Sequence, residues 1–543
     1  MSYKANLLFP EGKENSKNSS KNLPQDYILD LNIDFIARKL FPEYPDYFVE
    51  ILKQYCTDPE TILYRQDILE DVLSVPELES VLHGIISKIY VFEQSVKGKN
   101  LSNANSFIDI GVQIETLKVY IDCITQCFKF EKKNAVKSFG MIALMDKVNK
   151  IYESGEFVSL RDEVAKLDDL FSHAIKSVTI AINFDEVNRP CEMAVLSIDN
   201  KPFRQKTLAS KIFKTNDPMQ ITPIGTYHKI EKNKAATQFD IALFSDLNEL
   251  CGETLHSFAR ALDFYYKTNI EFFIETYHQL SYYFGLKKAI NYLQSKGVKF
   301  CRPTIAKMED RLFNVDNMID ISFAYEMLKT DYYAKLNELI VPNDVHIDEN
   351  GRIFILTGPN NSGKTTYTRA VGVCQLMFQA GMFIPGTSAN ISPVDHIYTH
   401  FPKEEMVGIN TSRLTQECKQ LKNIFKTATR YSLVLSNESF SSTTYKESLY
   451  IASGFIKLCR FTGCRAVFTT HMIDLAETID EMENATEGDS KIISMVSEME
   501  QDKIKNQNKL TYKIKPGKPY KNSFAYDILI KYGIDFDDML NKK

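Results

Sequence analysis

Gly358, Gly363, Lys364 and Thr365 stand at the spacing G-x4-G-K-[ST], inside the run Arg-Ile-Phe-Ile-Leu-Thr-Gly-Pro-Asn-Asn-Ser-Gly-Lys-Thr-Thr that occupies 352–366. Small residues at that spacing let successive backbone N–H groups curl around phosphate oxygens, and a helix starting near Lys364 aims its positive end at them. The Lys364 ammonium then reaches the β and γ phosphates, and the Thr365 hydroxyl can ligate Mg²⁺. Gly358, Pro359, Asn360, Asn361, Ser362, Gly363, Lys364, Thr365 and Thr366 are the candidate phosphate-binding residues. A chance Gly-rich turn is the bland alternative. The apolar strand Ile353 to Thr357 before the loop and the helical stretch Thr366 to Gln379 after it supply the context the motif requires, so the chain is expected to bind a nucleoside triphosphate.

A second constellation follows. Tyr431-Ser-Leu-Val-Leu-Ser-Asn437-Glu438 is an apolar strand ending in a polar pair. Phosphate-loop ATPases normally carry Asp-Glu there, the Asp organising Mg²⁺ and the Glu polarising the attacking water. Asn437 replaces the Asp, so Thr365 and Asn437 are the candidate metal-side residues and Glu438 the candidate catalytic carboxylate. A further strand, Ala466 to Thr470, ends at His471, where an imidazole could sense the γ phosphate. A lone strand-end histidine is more often structural; its place after Glu438 makes His471 the second catalytic candidate.

Positioning these groups needs a sizeable scaffold, and 543 residues suffice for three or four domains. Hydrophobic residues at 44% and charged ones at 25% fit a globular chain with ample core. The ten cysteines fall singly apart from Cys123/Cys127 and Cys459/Cys464, without nearby histidines, which favours buried thiols over zinc and fits a reducing cytoplasm. No apolar run reaches the length of a membrane span, and Met1 to Asn22 is polar and lysine-rich, unlike a secretory signal. Residues 1–24 read as a flexible tail, 25–175 as helical, 176–239 as a β-rich insertion in which Val178, Ile180 and Ile182 alternate, 240–305 as returning helices, and 306–543 as an α/β domain.

The net charge of −5 gives no global signal for nucleic acid, so any such surface must be local. In the insertion, Lys201, Arg204, Lys206, Lys211, Lys214, Lys229, Lys232 and Lys234 are opposed only by Asp217 and Glu231, with Phe203, Phe213 and Tyr227 interleaved. That composition suits a surface meeting phosphates. It equally describes a solvated lysine-rich face over core aromatics.

The loop Gly-Pro-Asn-Asn-Ser-Gly-Lys-Thr-Thr-Tyr resembles the MutS family's G-P-N-M-G-G-K-S-T-Y; Tyr431 to Glu438 resembles its Y-S-L-V-L-x-D-E, and Phe468-Thr-Thr-His471 its F-A-T-H. Val341-Pro-Asn-Asp344 and Lys515-Pro-Gly517 fit as well. The likeness is strongest in 340–475; Asp58 to Arg65 and Cys301-Arg-Pro303 extend it weakly upstream. It implies a multidomain chain: a mainly α core and lever region, a small β-rich clamp inserted in it, and an ABC-type phosphate-loop ATPase domain ending in a helical dimerisation segment around Phe524 to Leu540. It also implies Ser412 of a second subunit closing over the γ phosphate, although Ile409-Asn-Thr-Ser412-Arg-Leu keeps only the serine of the family's S-G-R-S-T-F. Where the family often places an aromatic ahead of V-P-N-D, Ile340 stands, and Tyr512 could stack on adenine from the other side. The chain begins at the lever region, so the amino-terminal mismatch-reading and connector domains are expected to be missing. The resulting expectation is a cytoplasmic homodimer using ATP and Mg²⁺, clamping double-stranded or structured DNA through Lys201, Arg204, Lys206, Lys211 and Lys214 without reading mismatches, and hydrolysing slowly. A nucleotide-binding switch that recruits protein partners and an ABC-type mechanical ATPase with no DNA role stand as alternatives.

Overall fold

The computed structural model describes residues 6–13, 23–42, 44–53, 56–78, 81, 84, 88, 107–130, 135–174, 176–201, 276–402, 413–502 and 507–520. Helices and sheets are mixed, and the chain divides into two compact units: residues 1–4, 77–133 and 143–278, and residues 5–76, 134–142 and 279–543.

In the first unit the helices Phe107–Phe128 and Gly155–Ala174 supply Ile114, Leu117, Tyr120, Ile124, Phe157, Leu160 and Val164 to one core, which Val148 of the helix Phe139–Glu153 joins. These apolar positions recur at helical spacing, so each helix offers one continuous stripe to the other. Strands β1 (Ser177–Phe184) and β2 (Pro190–Asp199) then form an antiparallel hairpin. Its turn is closed by the Asp185 carboxylate, which accepts the N–H groups of Val187 and Arg189, with Asn188 in the left-handed region. The expected alternation therefore becomes a real hairpin. Lys201 lies just beyond it and is exposed, whereas Arg204, Lys206, Lys211 and Lys214 lie outside the described residues.

The second unit holds the remaining strands: β3 (Phe300–Cys301), β4 (Thr304–Ile305), β5 (Phe313–Met318), β6 (Asn343–Ile347), β7 (Ile353–Thr357), β8 (Ile384–Pro385), β9 (Ser388–Ile391), β10 (Ile397–His400), β11 (Leu433–Asn437), β12 (Arg465–Thr470), β13 (Ile492–Asp502) and β14 (Gln507–Pro516). Six of them form one sheet in the order β10-β11-β12-β7-β13-β14, parallel except for the antiparallel edge strand β14. The central strands are apolar along their whole length because both faces are covered. On one face Ile353, Ile355, Val434, Ala466 and Phe468 pack with Phe455 and Ile456 of the helix Tyr445–Thr462. On the other, the helix Lys364–Gln379 lies so close that a Cβ at Gly372 would fall 2.7 Å from side-chain atoms of Leu31 and Leu435.

Two expectations are corrected here. Residues 6–13 are not a free tail. Leu7, Leu8 and Phe9 are buried, the Tyr64 and Tyr283 hydroxyls donate to the Asn6 and Leu7 carbonyls, and Arg65 donates to the Leu8 carbonyl while stacking on Phe9. Three consecutive apolar side chains outweigh the polar composition around them. In addition, the helices between Tyr27 and Ser74 group with the six-stranded sheet, so the stretch read as one helical region over 25–175 divides near residue 77. Tyr27 meets His396 edge-on at 5.9 Å and His396 approaches the Pro24 carbonyl at 2.9 Å, which ties this segment to the edge of the sheet. The segment Phe524 to Leu540, read as a dimerisation element, lies outside the described residues.

Candidate active site

The register of the parallel strands brings the motifs together. Thr470 of β12 pairs with Thr357 of β7, and Thr469 pairs with Asn437 of β11. Gly358, Glu438 and His471 therefore leave the sheet at the same edge, the carboxyl end where ligands of open α/β sheets bind. Gly358 has φ 155°, and a Cβ there would lie 2.9 Å from Ser497 Cβ, so only glycine fits. Gly363, at φ 91°, turns the chain into the helix Lys364–Gln379 with no side chain capping it. The first amides of that helix are left for an anion.

The loop has closed on its own lysine. Lys364 is buried, and its ammonium donates to the Gly358 carbonyl at 2.9 Å and the Pro359 carbonyl at 2.8 Å, with Glu438 Oε1 at 3.7 Å. Burial pushes its pKa down, and the Glu438 carboxylate offsets part of that shift. Ser362 Oγ is also buried, without a hydrogen-bond partner. A cation held by neutral carbonyls and an orphaned hydroxyl in one loop are what a bound phosphate would satisfy.

At the end of β11, Asn437 Oδ1 accepts from Thr365 Oγ1 at 2.9 Å and from Thr469 Oγ1 at 2.8 Å. Glu438 follows at φ 48°, its N–H donating to the Thr469 carbonyl at 3.0 Å, and Phe440 has φ 64°. Left-handed non-glycine residues cost of order 1 kcal/mol each or more, and persist where surrounding contacts impose them. Glu438 Oε1 meets His471 Nε2 at 2.8 Å. That hydrogen bond, above all, holds the Glu438 carboxyl below the usual range, with Lys364 adding to it.

Above the loop lies a cavity of about 690 Å³ lined on one side by Asn360 to Thr366 and Glu438, and on the other by Phe323, Met327, Leu339, Ile340 and Val341. Tyr512 also lines it, at φ 59°, with its ring 3.9 Å from where a Gly363 Cβ would stand. Asn343 fastens that wall: its amide accepts from the Ile514 N–H at 2.7 Å and donates to the Tyr512 carbonyl at 3.0 Å. The oxygen donors Thr365 and Asn437 are compatible with Mg²⁺, which needs few protein ligands when phosphates share its shell. Both are neutral, and among the described residues no cluster of three or more His, Cys, Asp or Glu could hold a metal.

The structure thus assembles Gly358, Pro359, Asn360, Asn361, Ser362, Gly363, Lys364, Thr365, Thr366, Asn437, Glu438, His471 and Tyr512 around one strand edge; Ser412 lies outside the described residues. Sequence reasoning missed Thr469, whose hydroxyl seats Asn437; its place two residues before His471 was the available signal. The cavity wall from Asp320 to Met327 was missed too, and its sequence carries no motif.

A family model described as MutS domain V matches residues 354–530, and one described as the MutS2 N-terminal domain matches residues 57–296. The chain belongs to the MutS family. A DNA mismatch repair protein MutS from Roseiflexus sp. (strain RS-1) is 33% identical over 169 residues, which is 29% of this chain and 16% of that protein. The Lactobacillus acidophilus protein of the same name is 34% identical over 161 residues, covering 28% and 19%. That of Clostridium perfringens is 36% identical over 146 residues, covering 26% and 16%. The chain therefore spans under a fifth of the length of these MutS relatives. No helix among the described residues is long and apolar enough to cross a membrane.

Proposed function

We propose that this MutS-family chain is a DNA-associated ATPase that binds ATP at the Lys364 loop and hydrolyses it slowly. The observation that carries the reading is the buried Lys364 ammonium at the floor of the 690 Å³ cavity. A buried cation with only carbonyls and a distant carboxylate invites an anion. The loop amides and Lys364 would bind the phosphates, Tyr512 and Ile340 would flank the base, and Glu438, oriented by His471, would polarise water. Thr365 and the Asn437 amide oxygen would hold Mg²⁺, which neutralises charge on the phosphates. Ser412 of a second copy would close the site, since a phosphate loop and such a serine act across a two-fold dimer in ABC-type ATPases. Lys201, Arg204, Lys206, Lys211 and Lys214 would meet DNA phosphates, giving binding without base information.

One observation favours the rival reading, a nucleotide switch with little hydrolysis. The amide at Asn437 already accepts two hydroxyl protons and adds no charge beside the metal position. Unit charges ~4 Å apart interact by about 4 kcal/mol at an effective dielectric of ~20, and an amide forfeits much of that. ATP turnover measured with and without duplex, branched and single-stranded DNA separates the readings. Slow turnover that rises in Asn437→Asp and vanishes in Glu438→Gln is expected. Slower turnover in Asn437→Asp contradicts the assignment, and none in the wild type leaves the switch.

A further inference from the structure

Behind Glu438 lies a buried polar chain to which neither the motif nor the nucleotide reading gives a role. His400, the last residue of β10, is 2% exposed. Its Nδ1 lies 2.5 Å from Ser439 Oγ, and Ser439 Oγ also donates to the His400 carbonyl at 3.0 Å. Ser439 in turn lies 2.6 Å from Ser436 Oγ on β11. On its other side, His400 Nε2 approaches the Glu417 carbonyl at 3.4 Å, on the helix Arg413–Thr427. The same helix is fastened to β10 by Gln420, which donates to the Thr399 carbonyl at 3.1 Å. It also reaches the turn after Glu438, where Ser442 Oγ donates to Glu417 Oε2 at 3.4 Å.

The placement is informative because Ser439 sits between the two left-handed residues Glu438 and Phe440. A turn of that kind keeps its shape only where neighbours impose it. Ser439 is the anchor, and His400 is its imidazole partner, whichever atom carries the proton. The His400 ring also lies against Phe440, at 5.1 Å between centroids. One side chain therefore touches the turn that aims Glu438 and the helix that follows residues 403–412.

We propose that His400 is a positioning residue that fixes the aim of Glu438 through Ser439 and couples it to the helix Arg413–Thr427. The proposal rests on the hydrolytic reading of the site. Nucleotide binding needs the loop and the cavity, neither of which His400 lines. Hydrolysis needs Glu438 in register with the water it polarises, and a small displacement there is costly. A displacement of the helix would move the Glu417 carbonyl, and with it the ring and the turn.

The test compares wild type, His400→Ala, His400→Asn, Ser439→Ala and Glu438→Gln for ATP affinity, kcat and thermal melting. His400→Ala should keep ATP affinity within about twofold and lose kcat by about tenfold or more, the pattern of an interaction that matters only in the reacting state. His400→Asn places an amide where Nδ1 stands and should recover most of kcat. Ser439→Ala should reproduce the loss, and the double variant should be no worse than either single one. A folded His400→Ala with wild-type kcat overturns the proposal. So does a loss that follows ATP affinity and is not rescued by asparagine. If His400→Ala does not fold, Ser439→Ala decides, and wild-type kcat there overturns it. Failure of wild type to bind ATP removes the nucleotide reading itself. ATP binding without turnover keeps that reading and overturns the role of His400. Turnover that depends on Glu438 but ignores His400 and Ser439 removes this inference alone.

Discussion

Both ends of the six-stranded sheet bury a cation, and the two are held in opposite ways. At the amino end of β12, Arg465 is fully buried. Its guanidinium donates to the carbonyls of Leu312 at 2.9 Å, Ser392 at 3.2 Å, Pro393 at 3.0 Å and Tyr431 at 3.3 Å. Burial brings its pKa down to about 9, so it stays charged at neutral pH. At the carboxyl end, Lys364 is held by two carbonyls of its own loop. Arginine's planar fork joins segments far apart in the chain and has nowhere else to go. Lysine is a point charge on a flexible stem, and a phosphate can replace its partners. The first arrangement is a staple. The second, on the proposed reading, is a site for an anion.

The comparison breaks first at Arg465. Arg465→Ala leaves four buried carbonyls short of a donor and should cost roughly 3–5 kcal/mol in denaturant unfolding. Lys364→Ala, by the same measurement, should leave the midpoint unchanged or higher, because it removes a charge that burial disfavours. Equal losses in the two variants would erase the distinction between staple and site.

A smaller effect sharpens the staple end. Arg311 forms a two-pronged pair with Asp489, and Arg430 meets the same carboxylate at 3.0 Å. The hydrogen bond from Arg311 is the main reason the Asp489 carboxyl sits below its usual value of 3.8. A carboxyl lowered by folding contributes stability above its unfolded pKa and loses it as pH falls through the folded one. Asp489 is half exposed, so screening keeps the contribution near about 1 kcal/mol. Asp489→Asn should therefore lower stability modestly at pH 7, and by less as pH falls through the lowered folded-state pKa, where the wild-type carboxyl becomes protonated too. A constant difference across that range would show that the pair does not titrate as described.

The site was far more legible in the sequence than the staple. Gly358, Lys364, Thr365, Glu438 and His471 announce themselves because phosphate chemistry fixes residue types at short spacings, and parallel register then brings the strand ends together. Arg465 and His400 carry no such signal. Their partners lie at 312, 392–393, 417, 431 and 439, and only the folded chain places them. The burial of Leu7, Leu8 and Phe9 was visible as three adjacent apolar residues but was outweighed by the polar stretch that follows them. The division near residue 77 could not be read, because helical periodicity resumes after the break at Val75-Pro76 and does not report which core a helix joins.

The central claim is that the Lys364 loop exists to hold phosphate. Calorimetric titration of ATP with Mg²⁺ into wild type and Lys364→Ala tests it most directly. The expected result is one saturable site per chain in the wild type and an affinity at least about 100-fold weaker in the variant, some 2.7 kcal/mol, with no loss of melting temperature. Equal affinity in two equally folded proteins would contradict the account.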